Sequence, residues 1–276
     1  MGLASERPNV ENGTAVERED RLSRLVDYIV AEGSVRIEEI TEKFGVSMPT
    51  TRRDLDALAS QQLIVRTRGG AMANSSSGDI PLRYRTSRQW REKNAIARQV
   101  AQMVDPGSVI AFNGGTTTTA AAFEVGVRAA AEDRFAGSQT TVVTNAVNIA
   151  NDLIVRPQLR IVVLGGVARM RSYELIGPLT SLILPEITVD TLFLGVTAVD
   201  LQNGLFTHDE GEAAVNAELA RAARRVIVLA DSTKFDVTSF ARICELDAVH
   251  GLITDPGVQP EAVQELGEKG VEITIA

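Results

Sequence analysis

The sequence has one cysteine, Cys244, and two histidines, which are 42 positions apart. One thiol cannot form an intramolecular disulfide, and the isolated histidines have no neighbour at the spacing of metal ligands. We therefore expect neither a disulfide scaffold nor a metal site. Cys244 is interpreted as a small buried hydrophobe rather than a reactive thiol.

Long apolar runs are also missing. No run approaches the roughly 18 residues that a membrane span needs. The first 20 residues are polar and acidic and lack the basic-then-apolar order of a secretory signal. We expect a cytoplasmic protein that makes no membrane contact, with a disordered arm over residues 1–18.

The length and the charge distribution predict two unequal domains. A chain of 276 residues exceeds the usual size of one domain. The net charge of −8 is uneven: residues 21–88 carry 11 basic and 8 acidic side chains, whereas residues 89–276 carry 15 and 23. A basic segment joined to an acidic body can meet phosphate with one face while the body stays away from nucleic acid.

The N-terminal segment has the pattern of three helices followed by a hairpin. Apolar residues recur at helical spacing from Arg21 to Ala31, and a second short helix fits Ile37 to Phe44. Ser47 is a natural N-cap for a third helix. After it, a short apolar strand leads into a basic turn with two glycines. This order predicts a winged helix-turn-helix over residues 19–73.

A polar segment separates this unit from a different pattern. Residues 74–90 begin with Asn-Ser-Ser-Ser-Gly and are predicted to be a linker. Residues 91–276 then alternate short β-branched runs with helical segments such as 117–131 and 210–224, which is typical of a parallel, Rossmann-like sheet. The predicted strands are 109–112, 141–143, 160–164, 191–194, 226–229, 251–254 and 272–275.

The third helix carries the residue types that contact DNA. Its two arginines lie in the first turns, which enter the major groove in a helix-turn-helix, and the hairpin adds two more. The alternative is a three-helix protein-interaction module with solvated arginines. We favour double-stranded DNA as the partner because of the order of the features. The candidate DNA-binding residues are Ser47, Thr50, Thr51, Arg52, Arg53, Arg66 and Arg68.

A second candidate site follows the predicted strands of the large domain. The run from Asn113 to Thr119 joins a strand to an Ala-rich helix and provides backbone amides, hydroxyls and a helix N-terminus for an anion. It is not a Walker A loop, so nucleotide hydrolysis has no support. Polar residues after other strands should meet it at one sheet edge. The candidate effector-binding residues are Asn113, Gly114, Gly115, Thr116, Thr117, Thr144, Asn145, Gly165, Gly166, Arg169, Gly195, Thr197, Asp209, Glu210 and Lys234.

Both halves resemble one family. The run from Val46 to Leu58 and the wing that ends in Gly69-Gly70-Ala71 resemble the N-terminal signature of the DeoR family of bacterial regulators. The Gly-Gly-Thr-Thr loop and the run from Asp231 to Phe235 are similar to its sensor domain. The resemblance covers about residues 19–255. It implies a sensor fold shared with ribose-5-phosphate isomerase and CoA-transferases, a phosphorylated sugar or polyol effector, and repression relieved by that effector.

The sequence departs from the family pattern at four positions. Arg68 replaces a histidine that many members have, and Gln62 replaces a glycine before the wing. Asn113 and Thr197 each replace an aspartate where the hydroxyls of a polyol would be held. These changes concern the operator preference and the identity of the effector.

Two other functions compete with a regulator. The same fold could support a sugar-phosphate isomerase with Asp200, Asp209 or Glu210 as general base. The N-terminal helices could instead serve a protein adaptor. A basic helix-turn-helix has no use in an isomerase, so we expect a repressor that is not an enzyme, needs no cofactor and has no catalytic residues. Operators are usually read as two half-sites, which predicts a homodimer or a larger homo-oligomer.

Overall fold

The computed structural model describes residues 15–61, 63–73, 82, 85, 89–235 and 237–276. The chain divides into two compact units, residues 1–88 and 89–276. Most of the predicted arm (residues 1–14) and most of the predicted linker (residues 74–81, 83–84 and 86–88) lie outside the described residues. The first described helix after the linker begins at Trp90.

In its described residues, the first unit contains three α-helices and a small antiparallel sheet. Its strands pair in the order β1-β3-β2, and the helices cover one apolar core that includes Leu25, Ile29, Leu55 and Leu58. The elements are α1 (Ala15–Glu32), β1 (Ser34–Arg36), α2 (Ile37–Phe44), α3 (Met48–Ser60), β2 (Ile64–Thr67) and β3 (Gly70–Ala73).

Two features of this unit differ from the prediction. Helix α1 begins at Ala15, so residues 15–18 of the predicted disordered arm are helical. The wing has a third strand, since Val35 of β1 pairs with Ala71 of β3. A strand of three residues with one buried side chain is too short to show a period of two in the sequence. The helices α2 and α3 are confirmed.

The second unit is built on a seven-stranded sheet whose paired strands are all parallel, in the order β15-β14-β12-β9-β4-β5-β6. The sheet strands are β4 (Val109–Phe112), β5 (Thr140–Thr144), β6 (Leu159–Val163), β9 (Val189–Gly195), β12 (Ala223–Leu229), β14 (Gly251–Thr254) and β15 (Glu272–Ile275). The helices are α4 (Trp90–Met103), α5 (Thr116–Ala131), α6 (Val147–Leu153), α7 (Pro178–Ser181), α8 (Glu210–Ala222) and α9 (Pro260–Glu268).

Alternate residues of each strand enter two separate cores, because successive side chains of a strand point to opposite faces. Phe112 and Phe193 stack with ring centroids 5.3 Å apart in the core shared with α4, α5 and α6. Leu192 and Leu194 lie in the core shared with α8 and α9. The unit is therefore a three-layer α/β fold with its sheet in the middle.

All seven predicted strands belong to this sheet, with ends that shift by up to three residues. The sequence did not indicate five shorter strands at its margin. These form the hairpin β7–β8 and a three-stranded antiparallel sheet in the order β10-β11-β13. Their ranges are β7 (Val167–Arg169), β8 (Glu174–Ile176), β10 (Ala198–Asp200), β11 (Gly204–Thr207) and β13 (Ala241–Cys244).

Candidate functional site

Helix α3 presents two arginines to solvent. Ser47 caps the helix by accepting a hydrogen bond from the Thr50 amide at 3.3 Å, and its hydroxyl lies 2.9 Å from that of Thr50. Arg52 and Arg53 are exposed, and neither side chain has an ion pair or hydrogen bond among the described residues. Both guanidinium groups are available to an anionic partner.

Thr51 was a predicted DNA contact, but it faces the interior. Its side chain is fully buried, and its hydroxyl donates to the Ser47 carbonyl at 3.2 Å. The same hydroxyl lies 3.2 Å from that of Thr41 on α2. Thr51 lies two residues before Arg53, on the opposite side of the helix. Its hydroxyl contacts fix the turn between α2 and α3, and it is not part of the exposed surface.

A partly buried ion pair holds α3 against α1. Asp54 has 2% of its surface exposed, and Nε of Arg21 lies 2.8 Å from its Oδ2 atom. Burying a carboxylate is costly unless it is paired, so this contact fixes how α3 sits on α1. The apolar pattern of the sequence gave no sign of the pair, although Asp54 lies in the motif that resembles the DeoR signature.

The two wing arginines have different surroundings. Nε of Arg66 lies 3.0 Å from Asp56 of α3, and its Nη1 donates to the Gly70 carbonyl at 3.0 Å. Arg68 is exposed at the turn, with no side-chain partner among the described residues. Arg66 thus fastens the wing to the helix, while Arg68 extends from it.

In the large unit, several of the predicted effector residues lie where the parallel strands end. The loop after β4 begins with Asn113, which is buried and spans to the end of β9. Its Nδ2 donates to the Gly195 carbonyl at 2.9 Å, and its Oδ1 accepts from the Gly195 amide at 2.8 Å. The Asn113 side chain therefore ties two neighbouring strands together.

Helix α5 starts directly after this loop without a side-chain cap. Gly115 is the N-cap residue, with φ of +147°, where a residue with a Cβ would be strained. Thr118 and Thr119 donate their hydroxyls back to the Gly115 carbonyl. Within the described residues, the hydroxyls of Thr116 and Thr117 have no hydrogen-bond partner. The positive end of this 16-residue helix thus has amides without a side-chain cap and two hydroxyls that make no hydrogen bond to the described residues.

The residues after β5 hold the loops in place. The fully buried Thr144 donates to the Phe112 carbonyl at 2.7 Å and accepts from the Ala146 amide at 3.0 Å. Asn145 is also fully buried, and its Nδ2 lies 3.3 Å from Oε1 of Glu174 on β8. Neither side chain faces solvent, so both support the site from behind.

Glu174 is a buried carboxyl group that the sequence did not indicate. Its Oε1 accepts a hydrogen bond from the Gly114 amide at 2.9 Å. Burial, followed by the charge of Glu212, raises the pKa of Glu174 to about 8. Gly114 is required at this point because a Cβ there would lie 2.3 Å from Cγ of Glu174.

Arg169 joins this cluster to the start of α8. Its Nη1 donates to Oε1 of Glu212 at 2.9 Å, and its Nε lies 3.0 Å from Oδ2 of Asp209. The other Asp209 oxygen caps α8 by accepting from the amides of Gly211 and Glu212. Arg169 is a predicted effector residue, and in this structure its guanidinium pairs with two carboxylates.

The remaining predicted effector residues have mixed positions. Gly165 accepts from the Thr180 hydroxyl through its carbonyl at 2.6 Å, and the Thr197 amide donates to the Phe206 carbonyl. Glu210 is exposed at the first turn of α8. Lys234 is half-buried and ends a short 3-10 helix, Ser232–Lys234, that follows β12. The backbone of Gly166 adopts a φ of +144° beside Thr180.

The described parts of the chain do not show the features of a membrane span, a metal site or a reactive thiol. No helix in those parts combines the length and apolar character of a membrane span. No cluster of three or more metal-ligating side chains occurs within the same ranges. Cys244 is half-buried on β13, and burial raises the pKa of its thiol to about 11, so little thiolate forms at neutral pH.

The first unit exposes arginines on a capped helix, and in the second unit polar, glycine-rich loops follow the parallel strands. This combination is typical of a two-domain transcriptional regulator. A DeoR-like helix-turn-helix domain matches residues 21–77, and a DeoR C terminal sensor domain matches residues 88–256. The chain belongs to the DeoR family.

Two relatives match along nearly their full lengths. The glycerol-3-phosphate regulon repressor of Escherichia coli (strain K12) is 30% identical, with 94% of this chain and 100% of that protein covered. The transcriptional repressor GlcR of Bacillus subtilis (strain 168) is 30% identical, with 94% and 96% covered. Ribose 5-phosphate isomerase A from Methanocaldococcus jannaschii is a partial structural match, with 19% identity, 52% and 53% coverage and a TM-score of 0.38.

Proposed function

We propose that this protein is a repressor of genes for sugar or polyol metabolism, and that a phosphorylated sugar or polyol controls its binding to operator DNA. The observation that carries the DNA-binding half is the capped helix α3, which exposes Arg52 and Arg53 while the Arg21–Asp54 pair braces it from behind. Such a helix can place its first turns in the major groove.

Within this surface, the roles of the polar residues differ. Thr50 and Arg53 face base edges, Arg52 and Arg68 contact phosphates, and Ser47 positions the helix by capping it. Arg66 is held by Asp56 and supports the wing. We propose a positioning role for Thr51 as well, because its hydroxyl is used inside the domain.

The effector site is the open N-terminus of α5. Its first amides, together with the hydroxyls of Thr116 and Thr117, form a cradle for a phosphate group. Lys234 supplies positive charge from the segment after β12. Arg169 contributes through its ion pairs with Asp209 and Glu212, which hold the start of α8. Asn113, Thr144 and Asn145 hold the loops in place. The relative named as a glycerol-3-phosphate regulon repressor supports this class of ligand.

A second copy of the chain completes the regulator. One helix-turn-helix unit buries a small interface, and two half-sites are read when two units are held at a fixed spacing. We propose a homodimer or larger homo-oligomer in the cytoplasm. Light scattering at micromolar concentration tests this, and a monomer that retains full operator affinity would contradict it.

The competing function is a sugar-phosphate isomerase. Asn113 and Thr197 place an amide and a neutral hydroxyl where the family has aspartates, which removes two candidate bases. A DNA-binding unit with exposed arginines has no role in such an enzyme. We therefore propose that the site binds its ligand without turning it over.

The test combines two measurements on the full chain. A thermal-shift panel of glycerol 3-phosphate, glucose 6-phosphate, fructose 6-phosphate and ribose 5-phosphate should find a ligand that raises the melting temperature, since a ligand that binds only the folded state stabilises it. The same ligand should change the affinity for the promoter region of the protein's own gene in a gel-shift titration. Turnover of any of the four esters, without promoter binding, would support the isomerase instead.

A further inference from the structure

A buried carboxyl group lies directly against the proposed phosphate cradle. Glu174 has 2% of its surface exposed, and its Oε1 accepts hydrogen bonds from the Gly114 amide at 2.9 Å and from Asn145 Nδ2 at 3.3 Å. Because Gly114 packs onto the Glu174 side chain with no room for a Cβ, any movement of Glu174 is passed to the loop that begins α5.

A second carboxyl group touches the first. Glu212 on α8 is within hydrogen-bonding contact of the Glu174 side chain. The Glu212 oxygens also accept from Nη1 of Arg169 at 2.9 Å and from the Thr207 hydroxyl at 2.8 Å. Two carboxyl groups can form a hydrogen bond with each other only if one of them carries a proton. Burial of Glu174 beside the Glu212 charge therefore favours a proton on one of the two carboxyl groups.

The charges around this pair do not replace that proton. Arg169 on β7 is the cation in the cluster, and it is shared between Glu212 and Asp209 at the start of α8. The loop after β4 and the segment after β5 contribute only the neutral groups Gly114 and Asn145. If the proton leaves, Glu174 and Glu212 both carry a negative charge, and the guanidinium group that pairs with Glu212 is already shared with Asp209.

We propose that Glu174 is a positioning residue of the effector site, and that the proton it shares with Glu212 sets the affinity of the Gly114–Gly115 loop for a phosphate ester. This inference rests on the proposed function, since it assumes that the start of α5 binds the ester. With the proton in place, Glu174 is neutral and holds the loop. Without it, a new negative charge lies one hydrogen bond from the cradle and the carboxylates repel each other.

The pKa of Glu174 places this change near neutral pH. Burial and the nearby Glu212 charge raise the pKa to about 8, so the group is protonated at pH 7 and ionised at pH 9. A bound anion favours the protonated form of Glu174, so the affinity for the ester is high below pH 8 and falls above it. The second ionisation of a phosphate ester, at a pKa of about 6, is already about nine-tenths complete at pH 7 and changes little above it, so it does not mask the effect.

The experiment is a calorimetric titration of the full chain at pH 7 and pH 9 with each ester of the panel. For a ligand that binds, we expect the dissociation constant to be about tenfold higher at pH 9, which is the effect of one linked proton with a pKa of about 8. Glu174→Gln keeps an acceptor for Gly114 and a donor for Glu212. The ratio of its dissociation constants at pH 9 and pH 7 should therefore be close to one. Glu261→Gln, at an exposed glutamate of α9, should keep the tenfold ratio.

Each outcome is decisive. Binding at pH 7 with the same ratio in the natural protein and in Glu174→Gln overturns this inference and leaves the proposed function intact. No binding of any ester at pH 7 overturns both. If Glu174→Gln does not fold, carbon NMR of glutamate carboxyl groups in the natural protein still decides, because a resonance with a midpoint near pH 8 is expected and its absence refutes the shared proton.

Discussion

Asn113 and Gly195 exchange two hydrogen bonds across the ends of β4 and β9, with Nδ2 donating to the Gly195 carbonyl and the Gly195 amide donating to Oδ1. The Asn113 side chain makes the same pair of hydrogen bonds as a backbone residue of a β-ladder, at the point where the two strands stop pairing. It thereby fixes the origin of the loop that leads into α5.

Asn113→Ala should therefore weaken the sensor domain and its ligand site together. Loss of the amide leaves the partly buried N–H and carbonyl of Gly195 without this partner, which should cost about 2 kcal/mol and lower the melting temperature by several degrees. Asn151→Ala, at an exposed asparagine of α6, is the matched control and should change little. Equal melting temperatures for the two variants in calorimetry would show that the bridge is unimportant.

The two arginines of α3 should differ in what they contribute to DNA binding. Arg53→Ala is expected to cost about 1 to 3 kcal/mol and to relax the preference at one base pair. Arg52→Ala should weaken all sequences alike and flatten the salt dependence by about one unit, because a phosphate contact is lost. Arg98→Ala, at an exposed arginine of α4, is the control. The groove assignment is wrong if gel-shift titrations give negligible losses for both variants.

The ion pair behind α3 should matter for the stability of the first domain. Arg21→Ala leaves the Asp54 carboxylate buried without its closest partner, which should cost about 3 kcal/mol. Arg24→Ala removes an exposed pair with Asp20 at 3.8 Å and should cost less than about 1 kcal/mol. Hydrogen exchange of the α3 amides in the full chain measures both. Similar protection in the two variants would argue against a bracing role.

Lys234 should affect the response to the effector more than the affinity for DNA. Lys234→Ala lies in the sensor domain and should leave effector-free operator binding nearly unchanged while it abolishes the change caused by the ligand. By reciprocity, an effector that lowers operator affinity by some factor must itself bind less tightly to the DNA complex by the same factor. The corresponding coupling free energy is typically about 1 to 3 kcal/mol. Titration with and without operator measures this coupling. Lys269→Ala, whose ammonium pairs with Glu265 at 3.0 Å, is the control and should respond normally.

The elements with strong local signals could be predicted from the sequence. The seven strands of the large sheet are short β-branched runs, and a strand buried on both faces needs no alternation to be recognised. The start of α3 was equally clear, because Ser47 and Pro49 are typical of a helix N-terminus. In both cases the cause of the structure lies within a few residues of the element itself.

The functions of single side chains could not be predicted in the same way. Thr51 and Arg52 are adjacent polar residues, and only the packing of α3 on α2 separates the buried one from the exposed one. The contact of Glu174 with Gly114 joins residues 60 positions apart, on a strand too short to be recognised. The amide side chain of Asn113 is of a type that often binds ligands, but here its hydrogen-bond partner is the backbone of Gly195.

The three-stranded sheet of the first unit has a consequence for how operator preference can diverge in evolution. Strand β3 is the central strand of this sheet, with β1 on one side and β2 on the other. The outer strand β2 has three exposed positions out of four, and the turn beyond it carries the exposed Arg68. Substitutions at Val65, Thr67 and Arg68 can accumulate without removing the contact of Arg66 with Asp56 that fastens the wing to α3. The wing can thus acquire a new DNA preference while the helices keep their packing.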